Sequence, residues 1–484
     1  MEAPPSFTLP DSLNSPASLA HLLASNSAPE GLESRIASAH LAELEEQAAF
    51  LEGVMAACVN RQADVLRSIQ DHKSILSPVR RLPNELLVEI FMVVVRDAFY
   101  SGSPDSGPLA EYPWILQRVC RRWNVVALST HTLWSWVYLD LDSVDEDDQG
   151  VVPVTQLFHE RSGGSPLTLR VTEEEGKETD DVFKATLAHA ERWQHLSLSL
   201  KAGSLLALDL DSVRGRLAAL TTLKISAEID AFETRFDEPM DSFTTAPNLT
   251  AVQMWIYDNN AATLLLPPFP LPWKQLTRLS ITFASTEEAL PILPQLSRIV
   301  ELRLVFSHVE DVVLPPSSIT LPALRCLEVK QTGYVHSTTF SLLDCLTCPI
   351  LGHLLMERAA DVDVVLRFIT RSDCSSTLHS LYFLFDYITA EKALSLVREI
   401  PRLAVFHVGN LNDAPDLMVQ ALHAHWLTVR GISGTSRLSV RLVNGYYLPH
   451  IPIDNTHTFL PMQEDGLYIE FGEEIESVID SKFH

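Results

Sequence analysis

The chain has 484 residues, 46% of them hydrophobic, which is enough for roughly two to four ordinary domains, or for one small domain and a long repeat array. With 62 acidic against 36 basic side chains and a formal charge of −26, it offers no Lys/Arg tract for a phosphate backbone, so nucleic acid and anionic membrane are not its expected partners. Six scattered cysteines are too few for a disulfide scaffold.

Residues 1–31 are rich in Ser, Pro and Ala and read as a disordered leader. They lack a basic start followed by an unbroken apolar run, so no secretory signal is expected. No stretch of about eighteen apolar residues occurs, so no membrane span is expected either. A reducing compartment, cytoplasmic and/or nuclear, fits this pattern.

Residues 32–78 predict a long helix. Leu44, Ala48, Leu51, Met55, Cys58, Gln62, Val65, Ile69, His72 and Leu76 alternate in steps of four and three, a heptad stripe interrupted by Ala48, Gln62 and His72. Such a stripe suits a coiled coil between copies or packing on the chain's own domain equally well.

Residues 80–139 predict a compact module of about three helices. Pro83 suits a first helical turn, where its missing N–H costs nothing, and Glu85 complements the helix dipole. Leu86, Leu87, Ile90 and Phe91 follow at helical spacing, with Leu82 placed to staple the start. Residues 101–110 read as a Ser/Gly/Pro loop, and a helix at 91–100 could extend an interface. Ile115, Val119, Trp123, Val126 and Ala127 make a second helical face, and Leu133–Leu139 leads into a strand.

Residues 140–484 carry a repeat, roughly Pro-x-Leu-x-x-Leu-x-Leu, seen at Pro247–Met254, Pro322–Val329 and Pro401–Val408. Aligning the copies superposes Leu196, Leu223, Val252, Leu279, Leu302, Leu327, Leu354, Leu381 and Phe406, at intervals of 23 to 29 residues. Leucine-rich repeats run about 20–29 residues. Each unit then contributes one short parallel strand that buries its apolar face only against its neighbours. Further strands are expected at Leu167–Val171 and Val137–Leu139. The alternative is an ordinary α/β domain with helices between parallel strands. The fold class is therefore α/β: an N-terminal helix, a small all-α module, and a leucine-rich-repeat-like solenoid with parallel strands.

Little in the sequence speaks for catalysis. No Gly-rich phosphate loop, HExxH or GxSxG occurs. Cys345 and Cys348 form a lone CxxC without a second ligand pair, so core thiols are expected rather than zinc or redox chemistry. His353, His379 and His407 recur at the repeat interval, which a shared structural position explains. The runs Asp145–Asp148 and Glu173–Glu175 read as solvated loops. No catalytic, metal or cofactor residue is assigned, and the chain is not expected to be an enzyme.

Three blocks resemble the F-box: Leu82-Pro83-x-Glu85-Leu86-Leu87-x-x-Ile90-Phe91, then Val119-Cys120-Arg121-Arg122-Trp123-Asn124-x-Val126-Ala127, then Leu133-Trp134. The helix running into Leu76-Ser77-Pro78-Val79-Arg80-Arg81-Leu82-Pro83, with an irregular leucine-rich region behind it, is similar to the mushroom-type fungal F-box-like family. The F-box resemblance covers only a small part of the chain, from Leu82 to Trp134. It implies a substrate-recognition adaptor of an SCF-type (Skp1–cullin–F-box) ubiquitin ligase. Leu82, Pro83, Leu86, Leu87, Ile90 and Phe91 would be the first block to meet a Skp1-like protein, and through it a cullin, with Val119, Cys120 and Trp123 of the later helix partly core and partly interface. Leu133 and Trp134 would pack the module on the repeat domain. The insertion between Phe91 and Trp114 departs from the compact family pattern. The alternative is a repeat interaction protein that does not engage the ligase. The substrate would be a protein, and the acidic balance favours a basic segment over a phosphorylated one.

Overall fold

The computed structural model describes residues 16–25, 27–101, 113–142, 151–173, 180–229, 240–258, 270–283, 286–306, 319–331, 342–357, 362–384, 389–409, 422–423, 426, 438–443 and 467–472. The expected loop at 101–110 and the acidic run 145–148 fall almost entirely outside these residues. The chain forms two compact units, Met1–Leu86 and Leu87–His484.

In the first unit the leader is partly helical, which corrects the expectation of disorder. A 3-10 turn at Ala17–Leu19 runs into α1, Ala20–Ser25. Leu19 is buried, and His21 Nε2 lies 3.3 Å from Glu33 Oε1, so an apolar anchor and a polar contact tie this segment to the next helix. That helix, α2, spans Gly31–Leu76. Its start is held by a capping box in which the Glu30 N–H donates to Glu33 Oε2 at 3.0 Å. Pro78 follows its end, where a helix cannot continue. Within its own unit α2 buries no residue, so the heptad stripe from Leu51 to Leu76 is uncovered there.

The helix α3 covers Asn84–Ser101, α4 Trp114–Val119 and α5 Arg121–Ser129. Behind them the second unit is built on parallel strands: β1 Trp136–Asp140, β2 Leu167–Thr172, β3 Trp193–Lys201, β4 Thr222–Ile229, β5 Ala251–Asp258, β6 Arg278–Phe283, β7 Glu301–Phe306, β8 Ile319–Thr320, β9 Cys326–Gln331, β10 Leu346–Thr347, β11 His353–Glu357, β12 Ser380–Leu384, β13 Val405–Gly409, β14 Leu438–Val443 and β15 Leu467–Gly472. Thirteen of them form one sheet in chain order, and β8 pairs with β10 outside it. Between strands lie short helices: α6 Val151–Arg161, α7 Asp180–Leu187, α8 Ala202–Ala207, α9 Thr286–Ala289, α10 Leu342–Cys345, α11 Val362–Ser372 and α12 Ala390–Glu399. The architecture is a mixed α/β fold with a large parallel sheet.

Register explains the repeat. Leu196, Leu223, Val252, Leu279, Leu302, Leu327, Leu354, Leu381 and Phe406 are direct cross-strand partners in one ladder. Every one of them is buried. Two residues on, Leu198, Ile225, Met254, Ile281, Leu304, Val329, Met356, Phe383 and Val408 form a second buried ladder on the same face. The first leucine of the unit is also core, at Leu220, Leu249, Leu276, Ile299, Leu324, Leu351, Leu378 and Leu403. All three apolar positions of the motif thus face inward, each contributing about 1.5–3 kcal/mol of burial.

The turns are stitched together as well. Thr250 donates its N–H to Thr221 O at 3.0 Å, Thr277 to Thr250 O at 2.9 Å and Val300 to Thr277 O at 2.8 Å. The hydroxyls of Thr221, Thr250 and Thr277 donate to the carbonyl of the preceding turn. In these turns threonine hydroxyls satisfy backbone carbonyls.

The expected strands at Val137–Leu139 and Leu167–Val171 extend this sheet as β1 and β2. β14 and β15 were not anticipated. Their ladder positions are Val440 and Ile469, and the step from Phe406 to Val440 is longer than any interval of the repeat, so β14 lies off the period.

The expected boundary at 139/140 is not observed. Residues 87–139 belong to the same unit as the sheet. Arg170, on β2, donates to Phe99 O at 3.0 Å and Tyr100 O at 3.2 Å, capping the last carbonyls of α3. Trp136 meets Phe99 edge-on at 5.2 Å, and Arg96 lies 5.4 Å over its ring.

Candidate partner-binding site

α3 is a helix with two apolar faces. Leu87, Phe91, Val95 and Phe99, four residues apart, are buried. Ile90 and Val93 are 43% and 55% exposed, and on the next helices Val119, Val125 and Leu128 are exposed. Phe91 packs on Trp123 of α5 with ring centroids 4.8 Å apart. Cys120 is extended between α4 and α5, and its Sγ accepts the Trp123 N–H at 3.5 Å as the cap of α5. Asn124 Nδ2 donates to Gln117 O at 3.3 Å and ties the two helices together.

The nine residues assigned to a partner surface therefore divide. In the second unit Ile90, Val119 and Cys120 are exposed, and Trp123 is half-buried. Leu87 and Phe91 are fully buried and so belong to the core rather than the surface, Phe91 against Trp123 of α5. In the first unit Pro83 and Leu86 are exposed and Leu82 is half-buried. Leu133 and Trp134 are buried. Trp134 donates from Nε1 to Ala127 O at 2.9 Å, meets Phe158 of α6 at 5.4 Å, and carries the Arg161 guanidinium 4.3 Å over its ring. α3 continues to Ser101, so residues 91–100 are helical.

The other face of the sheet is polar. Its central row runs Tyr138, Arg170, Ser197, Lys224, Gln253, Ser280, Arg303, Glu328, Leu355, Tyr382 and His407 in cross-strand register. Sequence reasoning did not find this row, because its residues share a face without sharing a type.

The histidines do not form one line. His353 and His379 touch, with ring centroids 4.3 Å apart, while His407 sits in the central row against Tyr382 at 4.6 Å. His353 pairs in register with Ser380, and His407 with Tyr382, so they occupy different phases of the unit and the shared position expected for them is not observed. Among the described residues no group of His, Cys, Asp and Glu could hold a metal ion. Cys345 and Cys348 are buried. Burial, with Cys374 beside it, pushes the Cys348 thiol up to about 12, so it is not a thiolate near neutrality.

His159, on α6, is a buried histidine whose ring lies 4.3 Å from that of His189. Burial, then His189 and Arg192, push its pKa down to about 3 from an ordinary 6.5. Between those values the unfolded chain binds a proton that the folded chain refuses, so stability is lost as pH falls below 6.5. In His159→Leu the loss between pH 7 and pH 5 is expected to shrink by about 2 kcal/mol. Urea unfolding at both pH values measures this, and an unchanged pH slope would refute it.

No protein-family model matches the chain, and no curated protein matches it. No described helix is long and apolar enough to cross a membrane.

Proposed function

We propose that the chain is a substrate-recognition adaptor of an SCF-type ubiquitin ligase, docking a Skp1-like protein, and through it a cullin, with its F-box-like helices. The parallel sheet then serves as a leucine-rich-repeat-like solenoid that presents a protein substrate. The observation that carries this reading is the packing of the three F-box-like blocks. Phe91 of the first block seats on Trp123 of the second, and Trp134 of the third is buried with its indole donating to Ala127 O. This leaves Ile90, Val93, Val119 and Val125 in water. Apolar side chains at helical spacing with no internal role are what helix-mediated docking uses. The adaptor transfers nothing itself. It raises the effective concentration of substrate beside a ubiquitin-charged enzyme, in the cytoplasm or nucleus.

The burial of Leu87 and Phe91 favours a second reading, a repeat interaction protein outside the ligase, because it removes two of the nine residues that the resemblance places at Skp1. Capture of purified Skp1 by the full chain separates the two. Ile90→Asp with Val119→Asp is expected to lower capture at least tenfold while the unfolding midpoint is retained. Wild-type chain that captures no Skp1 would leave only the second reading.

A further inference from the structure

The stripe on α2 lies open from Ala48 to Leu76. Leu51, Met55, Val65, Ile69 and Leu76 are exposed. So are Ala48, Cys58, Gln62 and His72 between them. A helix in water draws most of its stability from packing an apolar face. Among the described residues of its own unit, nothing buries this face.

Three weak positions, Ala48, Gln62 and His72, decide how a second helix fits this stripe. In a parallel pair of copies each meets itself. Two alanines then leave a gap, and two amides and two imidazoles meet inside the seam. Antiparallel copies centred on Asn60 bring Ala48 against His72, small against large, and Gln62 against Cys58. The remaining layers are Leu51 with Ile69, Met55 with Val65, and the half-buried Leu44 with Leu76. The overlap from Leu44 to Leu76 is about 50 Å long, roughly five heptads. Charge points the same way. From Leu44 to Asn60 the charged residues are Glu45, Glu46 and Glu52. From Arg61 to Leu76, Arg61, Arg67 and Lys73 outnumber Asp64 and Asp71, and Asp64 already lies 3.0 Å from Arg67. Parallel copies set the glutamates against themselves. Antiparallel copies lay the acidic half of each along the basic half of the other, with Glu45 and Lys73 on the same flank of the seam.

We propose that α2 pairs antiparallel with α2 of a second copy of this chain, centred on Asn60. Each assembly then carries two of every partner-binding surface, so a partner with two sites is held by avidity. The pairing does not rest on the ligase assignment.

Light scattering on the full chain at about 20 µM tests it, and a mass twice that of one chain is expected. Leu51→Asp with Ile69→Asp should give the single-chain mass. Arg61→Glu with Lys73→Glu, which changes the flanks and leaves the seam intact, should weaken association at least tenfold. Both variants should keep the tryptophan-fluorescence unfolding midpoint, since every tryptophan lies beyond α2. Raising NaCl from about 50 to about 500 mM should weaken the antiparallel pair, whereas screening would tighten a parallel one. Orientation is read with Cys58→Ala and Cys120→Ser in place, which removes the two exposed thiols. A mixture of Leu51→Cys and Ile69→Cys chains should then form an interchain disulfide on mild oxidation, and Leu51→Cys alone should not. A single-chain mass for the wild type, tighter association at high salt, or cross-linking of Leu51→Cys alone but not of the mixture would overturn the proposal. No Skp1 is present in these measurements, so the pairing and the ligase assignment fail separately.

Discussion

Glu328→Ala is expected to destabilise the fold by about 3–5 kcal/mol, a large fraction of a domain's net stability. Glu328 on β9 and Arg303 on β7 are register partners in the central polar row, with side chains 2% and 9% exposed. Removing the carboxylate leaves a guanidinium shut away from water beside the Trp255 ring, over which it lies at 5.6 Å. The cost comes from taking a carboxylate away from a buried guanidinium at a site where water cannot replace it. It follows that Arg303→Met with Glu328→Leu should recover most of the loss, because two apolar side chains need no solvation there. Urea unfolding of the wild type and the two variants gives the comparison. A single change costing under about 1 kcal/mol would mean that solvent reaches the pair.

Phe91→Ala is expected to cost about 3–5 kcal/mol, and Ile90→Ala, one residue away, within about 0.5 kcal/mol. Phe91 is fully buried against Trp123, and its removal opens a cavity between α3 and α5. Ile90 is 43% exposed and loses few contacts. The pair also sorts stability from docking. If Ile90→Asp lowers Skp1 capture with an unshifted unfolding midpoint, the exposed face is the docking face. A loss of capture seen only in variants that also unfold early would attribute it to folding. Phe91→Asp is a poor probe of docking for the same reason, since it buries an unpaired carboxylate.

These cases show where sequence reasoning reaches. Ile90 and Phe91 are adjacent apolar residues in one helical pattern, and no periodicity separates them. The neighbour that chooses Phe91 for the core is Trp123, which belongs to a different helix, beyond the insertion. Arg303 and Glu328 sit in different repeat units and match only because the strands align them.

By itself the sequence determined the repeating part of this protein. The nine aligned positions are one ladder of the sheet, because parallel strands stacked in chain order bring the same apolar position inward at every turn of the backbone. It also determined the long helix and the helical segments around Leu87–Phe91 and Trp123–Ala127, whose signals are local. Tertiary structure decided the rest. It joined α3–α5 to the sheet through Arg170, Trp134 and Trp136, chose which apolar residues stay in water, and set which cations meet carboxylates. Those outcomes depend on contacts between residues far apart in the chain, and only the folded register brings such residues together.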